Sequence, residues 1–254
     1  MTNVLGTRRA AQQWSDAEWK ARVELAACYR LADMNKMSAV IWNHITLRIP
    51  GTEHILINRF GLRYDEIRAS NLLKITLDGE VLDGTPEELN FTGYVIHGAI
   101  HRTRKDVSCV MHTHSRGGKG VAALKQGLLP IGQESVMFYE DVAYHDYEGF
   151  SDDTEECDRI TAHFGNHWQM IMRNHGLLTA GRNVGEAYWR MYYLEMSCQL
   201  QMDVMASGGE MVIPPREVLL KAKHQALANG RIPGTDEWPA LVRMVDAVAP
   251  DYKT

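Results

Sequence analysis

The apolar positions of this chain follow two rhythms that alternate along its length. Trp19, Val23, Ala26, Ala27 and Leu31 recur near helical spacing, and Ser15 with Glu18 three residues on is a capping-box start. This predicts a helix from Ser15 to about Lys36. Ile45-Thr46-Leu47-Arg48-Ile49 instead alternates with period two, Pro50-Gly51 turns, and His54 to Ile57 returns as a second strand. Ile67 to Leu72 reads as a short helical turn, and Asp78-Gly79 as a hairpin turn. Thr92 to Arg104 has helical spacing and carries His97 and His101; Val107 to Ser115 is a buried strand. A helix after Arg116-Gly117-Gly118 runs to about Lys125, and strand character returns at Val142-Ala143-Tyr144. Ser151 or Asp152 caps a helix to about Phe164, Gln169 to His175 is a second apolar strand, and Leu177 to Ala180 follows.

Asn183 with Glu186 opens the longest predicted helix, to about Ser207. Ala187, Met191, Leu194, Cys198, Met202 and Met205 share one face of it, while Tyr188, Tyr192 and Tyr193 read as exposed aromatics that leave a subunit interface open. Pro214-Pro215 starts a further helix that stops at Gly230, and the tail holds a short one. Helices and strands alternate without a repeat, a low-complexity run or a linker. The expectation is one α/β domain over residues 1–254, with an arm at 1–14, loose or packed on a neighbour, and a helical extension at 210–254.

Composition narrows the function classes. Hydrophobic content of 45% and charged content of 23% are those of an ordinary globular protein. A net charge of −5 argues against nucleic-acid partners and gives no basic face for a membrane. No apolar run reaches the roughly 18–20 residues of a membrane span, and residues 1–14 lack the apolar core of a signal peptide. Cys28, Cys109, Cys157 and Cys198 are scattered, which reads as reduced thiols in a cytoplasmic protein.

The candidate chemistry sits where apolar runs end. A strand sends residues i and i+2 to one face, so His112 and His114 project together from a rigid backbone. His175 ends the next comparable strand. The chain has 11 histidines, and most histidines bind nothing, but these three lie at core edges, where pockets form. Three neutral imidazoles and an open position describe a catalytic zinc-type site for one divalent ion; manganese, iron and cobalt also accept imidazole. His97 with His101 and His163 with His167 are i, i+4 pairs without the glutamate of a zinc-protease motif; the latter reads as helix surface.

Thr92 to Ser115, with Arg173-Asn174-His175-Gly176-Leu177, resembles the class II aldolase/adducin family, over about residues 18–209. Asn43 to Arg48, Phe60-Gly61-Leu62, Gly127 to Ile131 and Val142 to Tyr147 read like segments of the adducin head. The resemblance implies a central, mainly antiparallel sheet between helical layers, commonly assembled as a homotetramer, with a metal on His112, His114 and His175. One departure matters. Aldolases of the family carry a glutamate, and the epimerase an aspartate, four residues before the histidine matching His97; that slot here is Gly93. Asn43 and His44 match the segment that offers substrate phosphate a Gly-Asn turn in aldolases, but Trp42 crowds it, which leans toward a non-phosphorylated carbonyl or carboxylic acid.

The expected activity is that of a metal-dependent lyase, aldolase-like or decarboxylase-like, stabilising an enolate or carbanion. Asn43, His44 and Ser115 are its expected substrate-binding residues. Glu134 and Glu140 are its expected proton-transfer groups, with Tyr144 and His145 as further candidates. His97 is expected beside the ligands, hydrogen-bonded near the site. Gly93 also fits a second reading, a non-enzymatic adducin-like assembly module with a vestigial metal. A third is an iron-dependent oxygenase, since three histidines suit iron.

Overall fold

The computed structural model describes residues 14–149, 154–227 and 230–254. The expected arm therefore lies, except for Trp14, outside the described residues, as does the expected cap at Ser151 or Asp152. Trp14 stacks on Trp19 at 5.2 Å under the Arg22 guanidinium. The first helix, α1 (Asp16–Met34), starts where predicted, with the Ser15 hydroxyl accepting from the Glu18 amide at 3.2 Å.

Three strands follow: β1 (His44–Arg48), β2 (Ile55–Ile57) and β3 (Leu73–Ile75). The turn at 67–72 contains a 3-10 helix, Ala69–Asn71. Then come α2 (Phe91–Thr103), β4 (Cys109–Thr113), α3 (Arg116–Ala122), the short α4 (Gln133–Val136) and β5 (Ala143–His145). The chain continues through α5 (Thr154–Phe164), β6 (Gln169–Met172), β7 (Gly176–Gly181), α6 (Val184–Ser207), α7 (Arg216–Leu227) and α8 (Glu237–Val248). The seven strands form one sheet in the order β3-β2-β1-β4-β7-β6-β5. Every neighbouring pair is antiparallel except β5–β6. The expected mainly antiparallel sheet between helical layers is what the chain adopts.

The pleat explains the layers. On β4, Cys109 and Met111 enter the core with Leu25 and Tyr29 of α1 and Met191 of α6, while Val110 packs with Ile96 and Ile100 of α2 and Ile160 of α5. On β7, Leu177 goes to the first side and Leu178 and Ala180 to the second. Each fully buried Leu, Ile or Met contributes about 1.5–3 kcal/mol, so a one-residue slip of β4 would move both its apolar set and His112 to the wrong side. Tyr188, expected at an exposed interface, is fully buried, because the apolar stripe of α6 is wide enough to include it. Its hydroxyl accepts from the Asn35 side chain at 2.8 Å. Among the described residues, no helix is long and apolar enough to cross a membrane.

Candidate metal centre

His112 lies on β4, paired with His44 of β1 on one side and Leu178 of β7 on the other. His114 follows the strand, because Ser115 already begins the turn into α3. His175 sits in the tight connection between β6 and β7. Asn174 adopts a left-handed φ of 53° there, a conformation asparagine tolerates. Gly176 is forced, since a Cβ would lie 2.3 Å from the Thr113 carbonyl oxygen. This close approach brings His175 against β4.

The three rings have centroids 4.7 to 4.8 Å apart, and one ligand nitrogen from each lies within 4.8 Å of the others. The Nε2 atoms of His112 and His114 are 2.9 Å apart. His112 Nδ1 lies 2.9 Å from the Leu177 carbonyl oxygen, which only accepts, so Nδ1 carries the hydrogen and Nε2 a lone pair. That lone pair needs either a hydrogen from His114 or a cation. Two nitrogens on a tetrahedral zinc lie roughly 3.3 Å apart, so the donor set fits such an ion.

Electrostatics point the same way. Burial, then the neighbouring rings of His175, His114 and His44, hold His112 well below the usual imidazole range. Burial, with His114 and His145 nearby, lowers His175 to about 4. Burial, then Lys119, lowers His114. All three are neutral at physiological pH, the form that ligates metals.

His44 and Asn43 stand beside this group. The His44 and His112 rings are 5.0 Å apart. Asn43 is 1% exposed, yet neither its amide oxygen nor its nitrogen has a hydrogen-bond partner. His97 is hydrogen-bonded next to the ligands, with its Nε2 3.0 Å from His44 Nδ1.

The other expected residues are placed elsewhere or are already engaged. Ser115 donates to the Glu195 carboxylate at 2.5 Å, which spends its one hydrogen. His145 is buried and near enough to bear on the charge of His175; its Nδ1 is 2.9 Å from His163 Nδ1 and its Nε2 3.5 Å from Glu156. Glu134 opens onto a different cleft, of about 610 Å³, between α4, α6 and α7 beside Trp189 and Tyr193. Glu140 pairs with Arg216 at 2.8 Å on the surface. The Tyr144 hydroxyl accepts from the Leu128 amide at 3.0 Å. His163 and His167, expected as plain helix surface, both have partners; His167 sits 3.1 Å from Asp141.

Glu195 is the residue the sequence reading missed. Its carboxylate accepts from Ser115, from the Gly117 amide at 2.8 Å, from the Gly118 amide at 2.7 Å and from Gln199 at 2.8 Å. It thus caps α3 from α6 and fixes the turn that follows His114. The signal was present: Glu195 interrupts the apolar stripe between Met191 and Cys198, and a carboxylate on a buried stripe requires partners.

Residues 23–202 match the family model for the class II aldolase and adducin N-terminal domain. The chain is 40% identical over 245 residues to a Pseudomonas aeruginosa protein named provisionally as an aldolase class 2 protein, covering 95% of each. It is 39% identical over 253 residues to rat alpha-adducin, covering 92% of this chain and 34% of adducin. A crystal structure of an aldolase II superfamily protein from Pseudomonas syringae superposes with a TM-score of 0.92 at 46% identity, over 98% of this chain and 100% of that one.

Proposed function

Because the chain belongs to the class II aldolase and adducin family, we propose that it is a metal-dependent carbon–carbon lyase, aldolase-like or decarboxylase-like. His112, His114 and His175 hold one divalent ion per subunit, zinc in the first instance and manganese, iron or cobalt otherwise. The observation that carries this reading is the convergence of three neutral imidazoles, one of them with its tautomer fixed by the Leu177 carbonyl. When bound, the ion supplies the Lewis acidity that stabilises an enolate or carbanion of the substrate.

The chain's own residues do the rest. The unspent amide of Asn43 and the ring of His44 receive a small, non-phosphorylated carbonyl or carboxylic acid. Leaving a buried amide unpaired costs about 1–3 kcal/mol, which a ligand there recovers. Proton transfer falls to His145 before Glu134, since His145 is near enough to influence His175 whereas Glu134 lines another cleft. Decarboxylation needs a proton donor afterwards and no base on a departing hydroxyl, so Gly93 is compatible with it. The protein acts in the cytoplasm as a homotetramer, without nucleic acid or membrane as partner.

A second reading, an adducin-like assembly module with a vestigial site, is favoured by the identity to alpha-adducin over most of this chain. Elemental analysis of metal per subunit separates the two. The lyase reading expects about one ion in wild type and none in His175→Ala. Wild type that takes up no metal, even after reconstitution with zinc, manganese or iron, would leave the assembly reading.

A further inference from the structure

The cleft that holds Glu134 has a chemistry of its own. Its volume of about 610 Å³ falls within the roughly 300–1,000 Å³ of small-molecule pockets. Four helices bound it, since Glu237 of α8 joins the residues of α4, α6 and α7, and none of His112, His114 and His175 lines it. α6 supplies Trp189 and Tyr193, one turn apart on one face. Their ring centroids are 4.9 Å apart at an interplanar angle of 57°. Val136 and Met137 extend this aromatic wall with apolar surface.

The charge of the lining has one sign. Glu134 and Glu237 line the cleft, and no lysine or arginine does. Glu237 accepts from the Trp189 indole nitrogen at 3.2 Å, which sets a carboxylate at the edge of that ring. Both acids bear on Tyr193: burial first, then Glu237, Tyr192 and Glu134, raise its hydroxyl above the usual range. Each acid stands in the first turn of its helix, which by itself suits a carboxylate. That does not account for two acids from different helices meeting at one tyrosine with no cation between them. Among the described residues the Glu134 carboxylate has no hydrogen-bond or ion-pair partner. Nearby basic groups are committed elsewhere. Lys223 reaches the Tyr139 carbonyl at 2.8 Å and Asp141 at 3.5 Å, and Arg231 pairs with Asp236 at 2.5 Å.

We propose that this cleft binds a small organic ammonium ion, with its alkyl groups on the Trp189 and Tyr193 rings and its charge near Glu134 and Glu237. Aromatic faces attract a cation through their quadrupole, tryptophan most strongly, and carboxylates add to that field. A bare metal ion is poorly served, because among the described residues neither acid belongs to a group of three metal-ligating side chains. An anion would be repelled by both acids. An alkylated ammonium matches what is there: apolar surface for its methyl groups, and negative charge without a dense shell of oxygens.

The test is calorimetric titration of choline into the full chain, with 3,3-dimethylbutan-1-ol, its uncharged isostere, as control. Wild type should bind choline about tenfold more tightly than the alcohol, and the difference should shrink as salt is added. Trp189→Leu should weaken choline about tenfold. Glu134→Gln should weaken it about threefold and leave the alcohol unchanged. Trp189→Phe keeps a ring face and should retain most of the affinity, which separates loss of the face from loss of the fold. Should Trp189→Leu fold poorly, Glu134→Gln carries the test, because it keeps the shape of a partly exposed side chain. No choline binding, equal binding of choline and the alcohol, or choline affinity unchanged in Glu134→Gln would overturn the proposal. The metal-site reading stands or falls separately, since no ligand of that centre is altered.

Discussion

Two groups of histidines lie against each other on one face of the sheet and behave differently. His112, His114 and His175 come from strand ends and a tight turn, and turn ring nitrogens toward one another. His97 and His101 come from one helix, are fully buried, and turn theirs toward Thr46. By spacing alone the helical i, i+4 pair is as respectable a metal motif as His-x-His. Its two nitrogens are instead occupied by one hydroxyl on β1. A histidine becomes a ligand or a strut according to whether a neighbour already spends its lone pair. His44 belongs to both groups, since one nitrogen meets the buried chain and its ring lies against His112.

The largest effect that can break this comparison is loss of metal. His112→Ala should abolish stoichiometric metal, because it removes a ligand whose tautomer the backbone fixes. His101→Gln should keep about one ion per subunit, since Thr46 and not a metal faces that ring. Elemental analysis of both proteins is the check, and equal metal loss in the two would erase the distinction between the groups.

Next in size is the support of the ligand strand. Glu195→Ala leaves Ser115 and the Gly117 and Gly118 amides without their buried acceptor. Unpaired buried donors should cost about 3 kcal/mol in urea unfolding, and metal affinity should fall about tenfold through the misplaced His114. Thr46→Val acts on the other group. It should cost about 2 kcal/mol by orphaning His97 and His101 while metal content is unchanged.

The sequence showed the frame and the three converging histidines because both depend on periodicity: alternation in β4, a helical stripe in α6 and apolar runs ending in histidine. It did not show the partners that decide each histidine's role. Thr46 lies between the aliphatic Ile45 and Leu47 in β1, and nothing local says that its hydroxyl meets two rings from a helix some 50 positions away. Gly93 was legible as a missing acid but not as room for His44, because that contact depends on how α2 crosses β1. Ser115 was drawn toward the site by closeness in sequence to His114, and Glu134 only by being an acid in another polar segment; the fold points Glu134 into another cleft and commits Ser115 to Glu195.

The smallest prediction concerns pH, and it separates the groups without touching a ligand. Burial, then the nearby Arg48 charge, lowers His101 to about 3 from an ordinary 6.5. Below 6.5 the unfolded chain binds a proton at this residue that the folded chain refuses until about pH 3. Stability is therefore full above that upper value and declines as pH falls through the window between them. From pH 6.5 to about 5.5 the loss from this one residue is about 1 kcal/mol. In metal-free protein, His101→Gln should start less stable than wild type but lose about 1 kcal/mol less over that interval, since glutamine does not titrate. Parallel curves for the two proteins in denaturant melts would mean that His101 takes up its proton in the fold, and that the buried chain is not the neutral, closed network that distinguishes it from the ligand group.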